Sequence, residues 1–376
     1  MIQRDLIKLL SNDFNKGKAL ILLGARQVGK TTLFKVLLDD RKNVLWLTGD
    51  ELETQKMFEN PTITRLRAEL AGVEILVIDE AQRLPNLGLG LKLIIDHLPK
   101  IQLLVTGSSA FEMSNRLNES LMGRTFEYRL YPVSFSEMAN YHSFREEKRL
   151  LPYRLVYGYY PDVVMHPEDA KKILLNLTQN FLYKDMLLID GVKKPDKIVK
   201  LLQALAFQVG SQVSYNELAQ IVGMNIATVE KYITLLEQSF VIFRLSSFSR
   251  NLRNELSKSR KIYFYDNGIR NALISNFNTV ETRADTGALW ENFLITERLK
   301  LLCYNERWTQ HFFWRTTEQQ EIDYIEEEEG KLSAFEFKWN KTNKAKISKT
   351  FSNAYPNAST CIISPENFES FIIKLE

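Results

Sequence analysis

The sequence contains few cysteines and no apolar run long enough to cross a bilayer. Its 376 residues include only Cys303 and Cys361, too few and too isolated for a disulfide framework or a zinc knuckle. Both lie in apolar surroundings, where buried free thiols are common. The segment Met1 to Lys18 is charged throughout and lacks the apolar core of a signal peptide. We therefore expect a cytoplasmic protein with no membrane association.

The sequence also lacks a strong excess of either charge. Its 49 Lys and Arg residues against 46 Asp and Glu residues give a formal net charge of +3, so only local clusters can argue for nucleic acid. Apolar residues make up 45% and charged residues 25% of the chain, which excludes general disorder. The length exceeds that of one ordinary core and predicts two or three domains.

Residues 24 to 31 contain the sequence Gly-Ala-Arg-Gln-Val-Gly-Lys-Thr. Ala19 to Leu23 before it predicts a buried strand, and apolar residues at helical spacing follow it. Strand, glycine loop and helix form the context that a phosphate-binding loop requires, so we expect ATP binding and hydrolysis.

Each motif residue has an expected role in this loop. Gly24 and Gly29 let the backbone N–H groups face the phosphates, and Lys30 reaches the β- and γ-phosphates. Thr31 ligates Mg²⁺, and Thr32 beside it is expected in the same nucleotide site.

A second apolar strand, Ile75 to Ile78, ends in Asp79 and Glu80. This is a Walker B pattern, in which Asp79 holds Mg²⁺ through water and Glu80 polarises the attacking water. The alternative is a solvated acidic turn, which the glycine loop upstream makes the weaker interpretation.

An additional strand, Val44 to Leu47, lies between the glycine loop and the acidic strand, and Ile101 to Val105 forms a further one. With this order the chain resembles the AAA+ superfamily, and within it the STAND-like prokaryotic ATPases. The resemblance implies that Thr106 or Ser108, which close the last of these strands, senses the γ-phosphate. Either residue could equally cap the helix expected from Ala110.

The same resemblance suggests a role for Arg124, which stands just before the alternating strand Phe126 to Tyr131. In AAA+ proteins this junction carries an arginine finger that acts on a neighbouring subunit, which implies a homo-oligomer. The alternative is an ion pair at a helix end.

The middle of the chain predicts a lid and a winged helix. Gly158-Tyr159-Tyr160-Pro161 resembles the Gly-x-Pro signature of the STAND lid with one extra residue, although a proline at the first position of a helix needs no nucleotide. Residues 213 to 243 predict a helix-turn-helix with Gly223 at the turn. Its second helix buries an apolar stripe and leaves outside the polar residues Asn225, Thr228, Lys231 and Thr234.

A local basic cluster follows the helix-turn-helix, between two predicted wing strands. Five cations stand there against one acid, Glu255, and we expect them to contact DNA phosphates. They are Arg250, Arg253, Lys258, Arg260 and Lys261. A winged helix can also serve as a lid or a dimer face, and a charge run can be a solvated turn.

The last third predicts a helix over Ala288 to Cys303 and then a hairpin. Alternation on both sides of the turn places Asp323 on one strand, with Glu336 and Lys338 on one face of the next. Two carboxylates and a lysine can bind Mg²⁺ and activate water for phosphodiester cleavage. With Glu291 on the preceding helix, the set resembles the PD-(D/E)xK nuclease fold, although Ile322 replaces the proline of the motif.

The order of these parts resembles, over nearly the whole chain, a prokaryotic ATPase family with a C-terminal domain of unassigned function. The fold class is multidomain α/β. We expect an AAA+ core at 1–133, a helical lid at 134–195, a winged helix at 196–265 and a restriction-endonuclease-like domain at 266–376.

Three functions fit this combination of motifs and predicted domains. The first is an ATPase that binds and remodels DNA, including branched or Holliday-junction DNA because junction-resolving enzymes share the nuclease fold. The second is an ATP-regulated, Mg²⁺-dependent DNA nuclease, although such a domain can also grip DNA without cutting. The third is a STAND-type nucleotide switch that acts on protein partners.

Overall fold

The computed structural model describes residues 1–108, 121–181, 195–249, 259–340 and 346–374. Its contacts divide the chain into two compact units. The first consists of Arg4–Tyr131 with Gln238–Phe240, and the second of Met1–Gln3, Pro132–Glu237 and Val241–Glu376. Apart from Gln238–Phe240, the expected lid, winged helix and nuclease-like domain therefore fall within the second unit.

The first unit contains a five-stranded sheet and short helices. The strands are β1 (Ala19–Leu23), β2 (Val44–Thr48), β3 (Ile75–Asp79), β4 (Gln102–Gly107) and β5 (Thr125–Arg129). The helices are α1 (Leu6–Asp13), α2 (Lys30–Leu37), α3 (Leu52–Glu59), α4 (Ile63–Glu69) and α5 (Leu87–His97), with a 3-10 turn at Ala81–Arg83.

The five strands pair in the order β2-β3-β4-β1-β5, and every pair is parallel. All five residues of β1 are buried, as expected for a parallel strand covered on both faces. The strand between the glycine-loop strand and the acidic strand in space is β4, whereas Val44 to Leu47, inserted between them in sequence, forms part of the edge strand β2. This order brings the carboxyl ends of β1, β3 and β4 side by side.

The second unit contains the remaining helices. They are α6 (Phe135–Tyr141), α7 (Phe144–Tyr157), α8 (Pro161–Met165), α9 (Ala170–Asn176), α10 (Pro195–Phe207), α11 (Tyr215–Val222), α12 (Ile226–Gln238), α13 (Asn267–Leu273), α14 (Thr286–Tyr304), α15 (Lys349–Ala354) and α16 (Glu369–Ile372). Single turns of 3-10 helix occur at Pro167–Asp169 and Val280–Thr282, and a π-helical turn at Leu177–Phe181.

Helices α11 and α12 are joined by a short turn. The side chain of Ser214 caps α11 by accepting a hydrogen bond from the Glu217 amide, and Gly223 ends that helix with φ of 61°. Val229, Ile233 and Leu236 of α12 are fully buried, in agreement with the apolar stripe. Two helices joined by a glycine turn therefore lie where the helix-turn-helix was predicted.

One seven-stranded sheet runs through the second unit. Its strands are β6 (Gln212–Val213), β7 (Ile242–Ser247), β8 (Arg260–Phe264), β9 (Gln310–Arg315), β10 (Glu321–Glu328), β11 (Lys331–Phe337) and β12 (Ser359–Ile363). They pair in the order β12-β11-β10-β9-β7-β8-β6. Ser246 pairs with Phe312 in parallel, so the strands that were predicted to form a wing share one sheet with the hairpin strands. The expected boundary at 265/266 is therefore not a boundary between compact units.

Among the described helices, none combines the length and the apolar composition needed to span a bilayer.

Candidate active site

The glycine-rich loop connects the carboxyl end of β1 to the first turn of α2. Gly29 has a φ of 96°, a conformation that favours glycine, and Lys30 begins the helix. The Lys30 side chain is buried, and its Nζ donates hydrogen bonds to the carbonyl oxygens of Gly24 at 2.8 Å and Ala25 at 2.9 Å. An ammonium group thus lies at a helix N-terminus, where a phosphate is stabilised.

Two further contacts fix the loop in place. A Cβ on Gly24 would lie 2.3 Å from the carbonyl oxygen of Leu130, so only glycine fits. Arg4 donates to the carbonyl oxygens of Val28 at 2.9 Å and Tyr131 at 2.7 Å. Sequence reasoning missed Arg4, because residues 24 and 127 positions away become its partners only in the fold.

A chain of hydrogen bonds links the strand ends beside the loop. The Thr31 hydroxyl donates to Oδ2 of Asp79 at 2.8 Å, and the Thr106 hydroxyl donates to Oδ1 of the same carboxylate. Thr106 also accepts a hydrogen bond from the Glu80 amide at 3.1 Å. Both oxygens of Asp79 are thereby oriented by neighbouring hydroxyl groups.

The carboxylate of Glu80 is held by Gln82 and Ser108. Glu80 has a φ of 50°, which turns the chain sharply at the end of β3. Gln82 Nε2 donates to Glu80 Oε2 at 2.6 Å and to Ser108 Oγ at 2.8 Å, and Ser108 Oγ donates to the same Glu80 oxygen at 3.2 Å. Gln82 was also missed, although its position two residues after Glu80 was a possible signal.

The structure therefore gives Thr106 and Ser108 partners in the site, on Asp79 and Glu80 respectively. Their alternative role as caps of a helix from Ala110 concerns a segment outside the described residues. Thr32 lies at the next position of α2, where it is exposed.

Arg124 lies at the amino ends of the strands, at the opposite end of the sheet from the glycine loop. It immediately precedes β5, whose first residue pairs with Ala19 at the start of β1. The length of β1, about 17 Å at 3.3 Å per residue, separates Arg124 from the glycine loop. Arg124 forms a two-pronged ion pair with Asp96 near the end of α5, with nitrogen–oxygen distances of 2.8 and 3.2 Å. Within one chain the observed role is the helix-end ion pair.

The donor set beside the loop suits Mg²⁺. A hydroxyl and a carboxylate, Thr31 and Asp79, are hard oxygen ligands 2.8 Å apart, and Mg²⁺ in such sites is completed by phosphates and water. Within the described ranges no group of three His, Cys, Asp or Glu side chains is arranged to hold a metal ion by itself.

The second unit contains a cluster of carboxylates and lysines. Asp323 accepts a hydrogen bond from the Phe337 amide at 2.8 Å, which joins it to the strand that carries Glu336. Lys338 Nζ lies 2.7 Å from Oε1 of Glu336. The other oxygen of Glu336 is buried and has no hydrogen-bond partner among the described residues. Carboxylate oxygens are the ligands that Mg²⁺ prefers, but among the described residues these acids are not arranged as a ready metal-binding group.

Glu291, the predicted acid on α14, joins this cluster but is already bonded. Its Oε1 accepts hydrogen bonds from Tyr263 at 2.6 Å and from Lys261 at 3.0 Å. Lys261 also contacts Glu321. The predicted ligands Glu291, Asp323 and Glu336 are therefore near one another. Each carboxylate, however, is already bonded to a lysine or to a backbone amide instead of sharing a metal with the other two.

The pKa values in the cluster reflect burial and this crowding. Burial and the carboxylates of Glu291 and Glu336 raise the pKa of Asp323 well above its usual value. Burial alone would lower the pKa of Lys261, but Glu291, Asp323 and Glu321 together raise it. Burial alone would lower the pKa of Lys338, but its hydrogen bond to Glu336 and the charges of the surrounding carboxylates together raise it.

Lys261 was predicted as a DNA contact, and this prediction is wrong. Its side chain is 2% exposed and pairs with carboxylates, so it presents no charge to solvent. Arg260 is partly exposed and contacts the Tyr215 hydroxyl at 3.1 Å and Glu230 at 3.6 Å. The remaining predicted contacts, Arg250, Arg253 and Lys258, lie outside the described residues.

The lid motif has a structural role within the second unit. Gly158 has φ of 71°, and a Cβ there would lie 2.1 Å from Oδ1 of the buried Asp266. Asp266 accepts a hydrogen bond from the Tyr159 amide at 2.6 Å, and Pro161 begins α8. This packing explains the glycine and the proline without a nucleotide.

The chain matches three family models. An AAA domain model covers residues 16–139. Two domains of unknown function, DUF8612 and DUF4143, cover residues 148–280 and 286–373.

Curated relatives and a solved structure extend these matches. Two of the relatives are uncharacterized proteins. That of Mycobacterium tuberculosis is 27% identical and covers 94% of this chain and 77% of its own. That of Methanocaldococcus jannaschii is 23% identical and covers 94% of this chain and 81% of its own. The Walker-type ATPase of Pyrococcus abyssi shares the fold, with a TM-score of 0.50 at 16% identity, over 73% of this chain and 96% of its own. The AAA model and the parallel sheet together support a P-loop ATPase of the AAA type.

Proposed function

We propose that the chain hydrolyses ATP with Mg²⁺ at the carboxyl ends of β1, β3 and β4. The observation that carries this proposal is the hydrogen-bond chain from Thr31 through Asp79 and Thr106 to Glu80. It orients a metal-binding carboxylate next to the backbone of a candidate base, whose own carboxylate is held by Gln82 and Ser108. Hydrolysis of a phosphoanhydride requires these two groups side by side.

Each side chain has a distinct task in this reaction. Lys30 would move from the loop carbonyl groups to the β- and γ-phosphates of ATP. Thr31 and Asp79 would hold Mg²⁺, and the ion would supply positive charge that stabilises the phosphates. Glu80, held by Gln82 and Ser108, orients a water and takes its proton as the oxygen attacks the γ-phosphorus. The bond from the γ-phosphorus to ADP breaks, and ADP and phosphate leave.

DNA, including branched DNA, is the proposed target of the ATPase. Support comes from the predicted helix-turn-helix, whose second helix leaves Lys231 exposed and Thr228 and Thr234 half-buried. Asn225, just before this helix, is exposed and accepts a hydrogen bond from the Thr228 amide. A second helix of this kind can enter the major groove.

The test is steady-state ATP hydrolysis with single-stranded, duplex and four-way-junction DNA. We expect stimulation that Lys30→Ala and Glu80→Gln both abolish. Lys231→Glu should reduce the stimulation, while Lys172→Glu, on the exposed face of α9, should not. Equal rates with and without every DNA would argue for the alternative, a nucleotide switch that acts on protein partners.

A homo-oligomer is part of the proposal, because Arg124 stands about one strand length from the loop of its own chain. It can reach the phosphates only of a second copy. The rate per chain should then rise with protein concentration in the wild type, and the rise should be lost in Arg124→Ala. Asp96→Asn, which removes the ion pair but keeps the arginine, should retain it.

A second candidate function is DNA cleavage by the second unit. The observation that favours it is the cluster of Asp323 and Glu336 on adjacent strands with Lys338 just after the second strand. One oxygen of Glu336 has no partner among the described residues. Supercoiled, linear and branched DNA should be cut in Mg²⁺ or Mn²⁺ by the wild type and by Lys331→Ala, an exposed lysine of the same strand, but not by Lys338→Ala. Equal products from all three proteins would point to a contaminating nuclease.

A further inference from the structure

Lys261 is a buried cation at the centre of the candidate nuclease site. It is the second residue of β8 and is 2% exposed. A lysine at this depth is stable only when it is paired, because an isolated buried charge is strongly disfavoured. Its partners are Glu291, at 3.0 Å, and Glu321.

Lys261 and Tyr263 together occupy one oxygen of Glu291. They stand two positions apart on β8, so their side chains point to the same face of the sheet. The ammonium and the hydroxyl, at 3.0 and 2.6 Å, both donate to Oε1. A carboxylate oxygen with two donors already on it is not available to a metal until one donor moves.

We propose that Lys261 is a tethered cation that competes with a divalent metal for Glu291 and so limits metal binding at this site. The inference rests on the proposed nuclease function, since it concerns the same carboxylates. Lys261 acts through Glu291 and is therefore a positioning residue. Its charge also balances Glu291, Glu321 and the nearby Asp323, which would otherwise repel one another.

Removal of this charge should strengthen metal binding. A divalent ion near Glu291 is repelled by the ammonium, and the loss of one like charge at contact distance changes an affinity by about tenfold. Lys338, the second lysine of the cluster, is bonded to Glu336 and remains in place.

The experiment measures Mn²⁺ binding to the full-length chain without nucleotide, from the electron paramagnetic resonance signal of free Mn²⁺. An Asp79→Asn background removes the carboxylate of the ATPase site. In that background we expect the Lys261→Met protein to bind Mn²⁺ about tenfold more tightly than the protein that keeps Lys261. Lys331→Met, which removes an exposed lysine of the same sheet, should leave the affinity unchanged. Asp323→Asn should abolish the tight binding and so assign it to this site.

The outcomes separate the role of Lys261 from the existence of a metal site at these carboxylates. Asp323-dependent binding that is equal or weaker in Lys261→Met would overturn the tethered cation and leave the nuclease proposal standing. No Asp323-dependent binding in any variant would refute the metal site itself. Lys261→Gln is a second neutral variant in case methionine beside Glu321 prevents folding, and it should also bind more tightly. Lys261→Arg, which keeps the charge, should not.

Discussion

The two candidate sites are held together by different forces. At the P-loop site, hydroxyl, amide and backbone groups orient Asp79 and Glu80. At the second site, the carboxylates are balanced by the buried Lys261 and the half-buried Lys338. Neutral donors orient both acids of the first site without placing a cation on them, whereas at the second site ammonium groups occupy oxygens that a metal would use.

This difference shows that a set of acids is not by itself a metal site. Asp79 has hydroxyl neighbours that can share a ligand shell with Mg²⁺. Glu291 has a cation as its neighbour, so metal binding there must displace or accommodate a positive charge.

The largest expected effect would test whether the two sites work independently. Glu80→Gln should lower kcat for ATP hydrolysis by about 10²–10⁴, since it removes the candidate base, while ATP binding persists. The same variant should cut DNA at the wild-type rate, and Asp323→Asn should show the reverse. Parallel assays of both activities in both variants decide this. A loss of both activities in either variant would show that the sites are coupled.

A smaller effect would test the neutral hydrogen bonds of the P-loop site. Thr106→Val keeps the shape of a fully buried side chain but removes the hydroxyl that contacts Asp79 and the Glu80 amide. We expect kcat to fall about 30-fold, because an unpaired buried group costs roughly 1–3 kcal/mol. Thr106→Ser should restore most of the rate. A valine variant with normal kcat would mean that orientation of Asp79 is unimportant.

A weaker effect is expected from the groups that hold Glu80. Gln82→Met should lower kcat about tenfold, because a hydrogen bond to a charged group contributes about 1.5–3 kcal/mol. Ser108→Ala should lower it less, since its bond to Glu80 is longer, at 3.2 Å against 2.6 Å. Single-turnover hydrolysis would rank the two variants, and the opposite order would contradict this assignment.

The smallest effect concerns the ion pairs that anchor α14, the helix of Glu291. Arg283 and Arg270 lower the pKa of the partly buried Asp285 to about 2, against the opposing effect of burial. Because the folded-state pKa is depressed, the carboxylate stabilises the fold above the unfolded-state pKa of about 3.9, and this is lost as the pH falls towards 2. Asp285→Asn should cost about 1 kcal/mol at pH 7, after screening by solvent, and progressively less below pH 4.

Tryptophan fluorescence during urea unfolding would measure this effect, since four of the five tryptophans lie in the second unit, at positions 290, 308, 314 and 339. Asp169→Asn, at an exposed acid of the same unit, is the matched control. If the loss of unfolding free energy in Asp285→Asn did not shrink at low pH, the amide would be perturbing the packing rather than removing the ion pairs.

Consecutive motifs made the first site predictable. Gly24 to Thr31, and Asp79 with Glu80, each follow a buried strand, and parallel strands that end at one edge must bring their termini together. Arg4 could not be found in this way, because its contacts with Val28 and Tyr131 depend on how the chain returns to the loop.

The second site was predicted only in part. Alternation placed Asp323, Glu336 and Lys338 on neighbouring strands, because the hairpin is local. Lys261 was assigned to a DNA-binding surface, because its neighbours in sequence are cations. Only the parallel pairing of β7 with β9 joins the wing strands to the hairpin strands in one sheet and brings β8 close to the acids.

The sequence by itself determined the nucleotide loop, the acidic strand end, the helix-turn-helix pattern and the hairpin. Each is encoded within a few dozen residues by spacing and by the conformational demands of particular side chains. The tertiary structure alone decided that Arg124 lies away from its own glycine loop, that three expected domains form one compact unit, and that Lys261 is buried against Glu291. These depend on strand order and on pairing between distant segments, which local spacing does not encode.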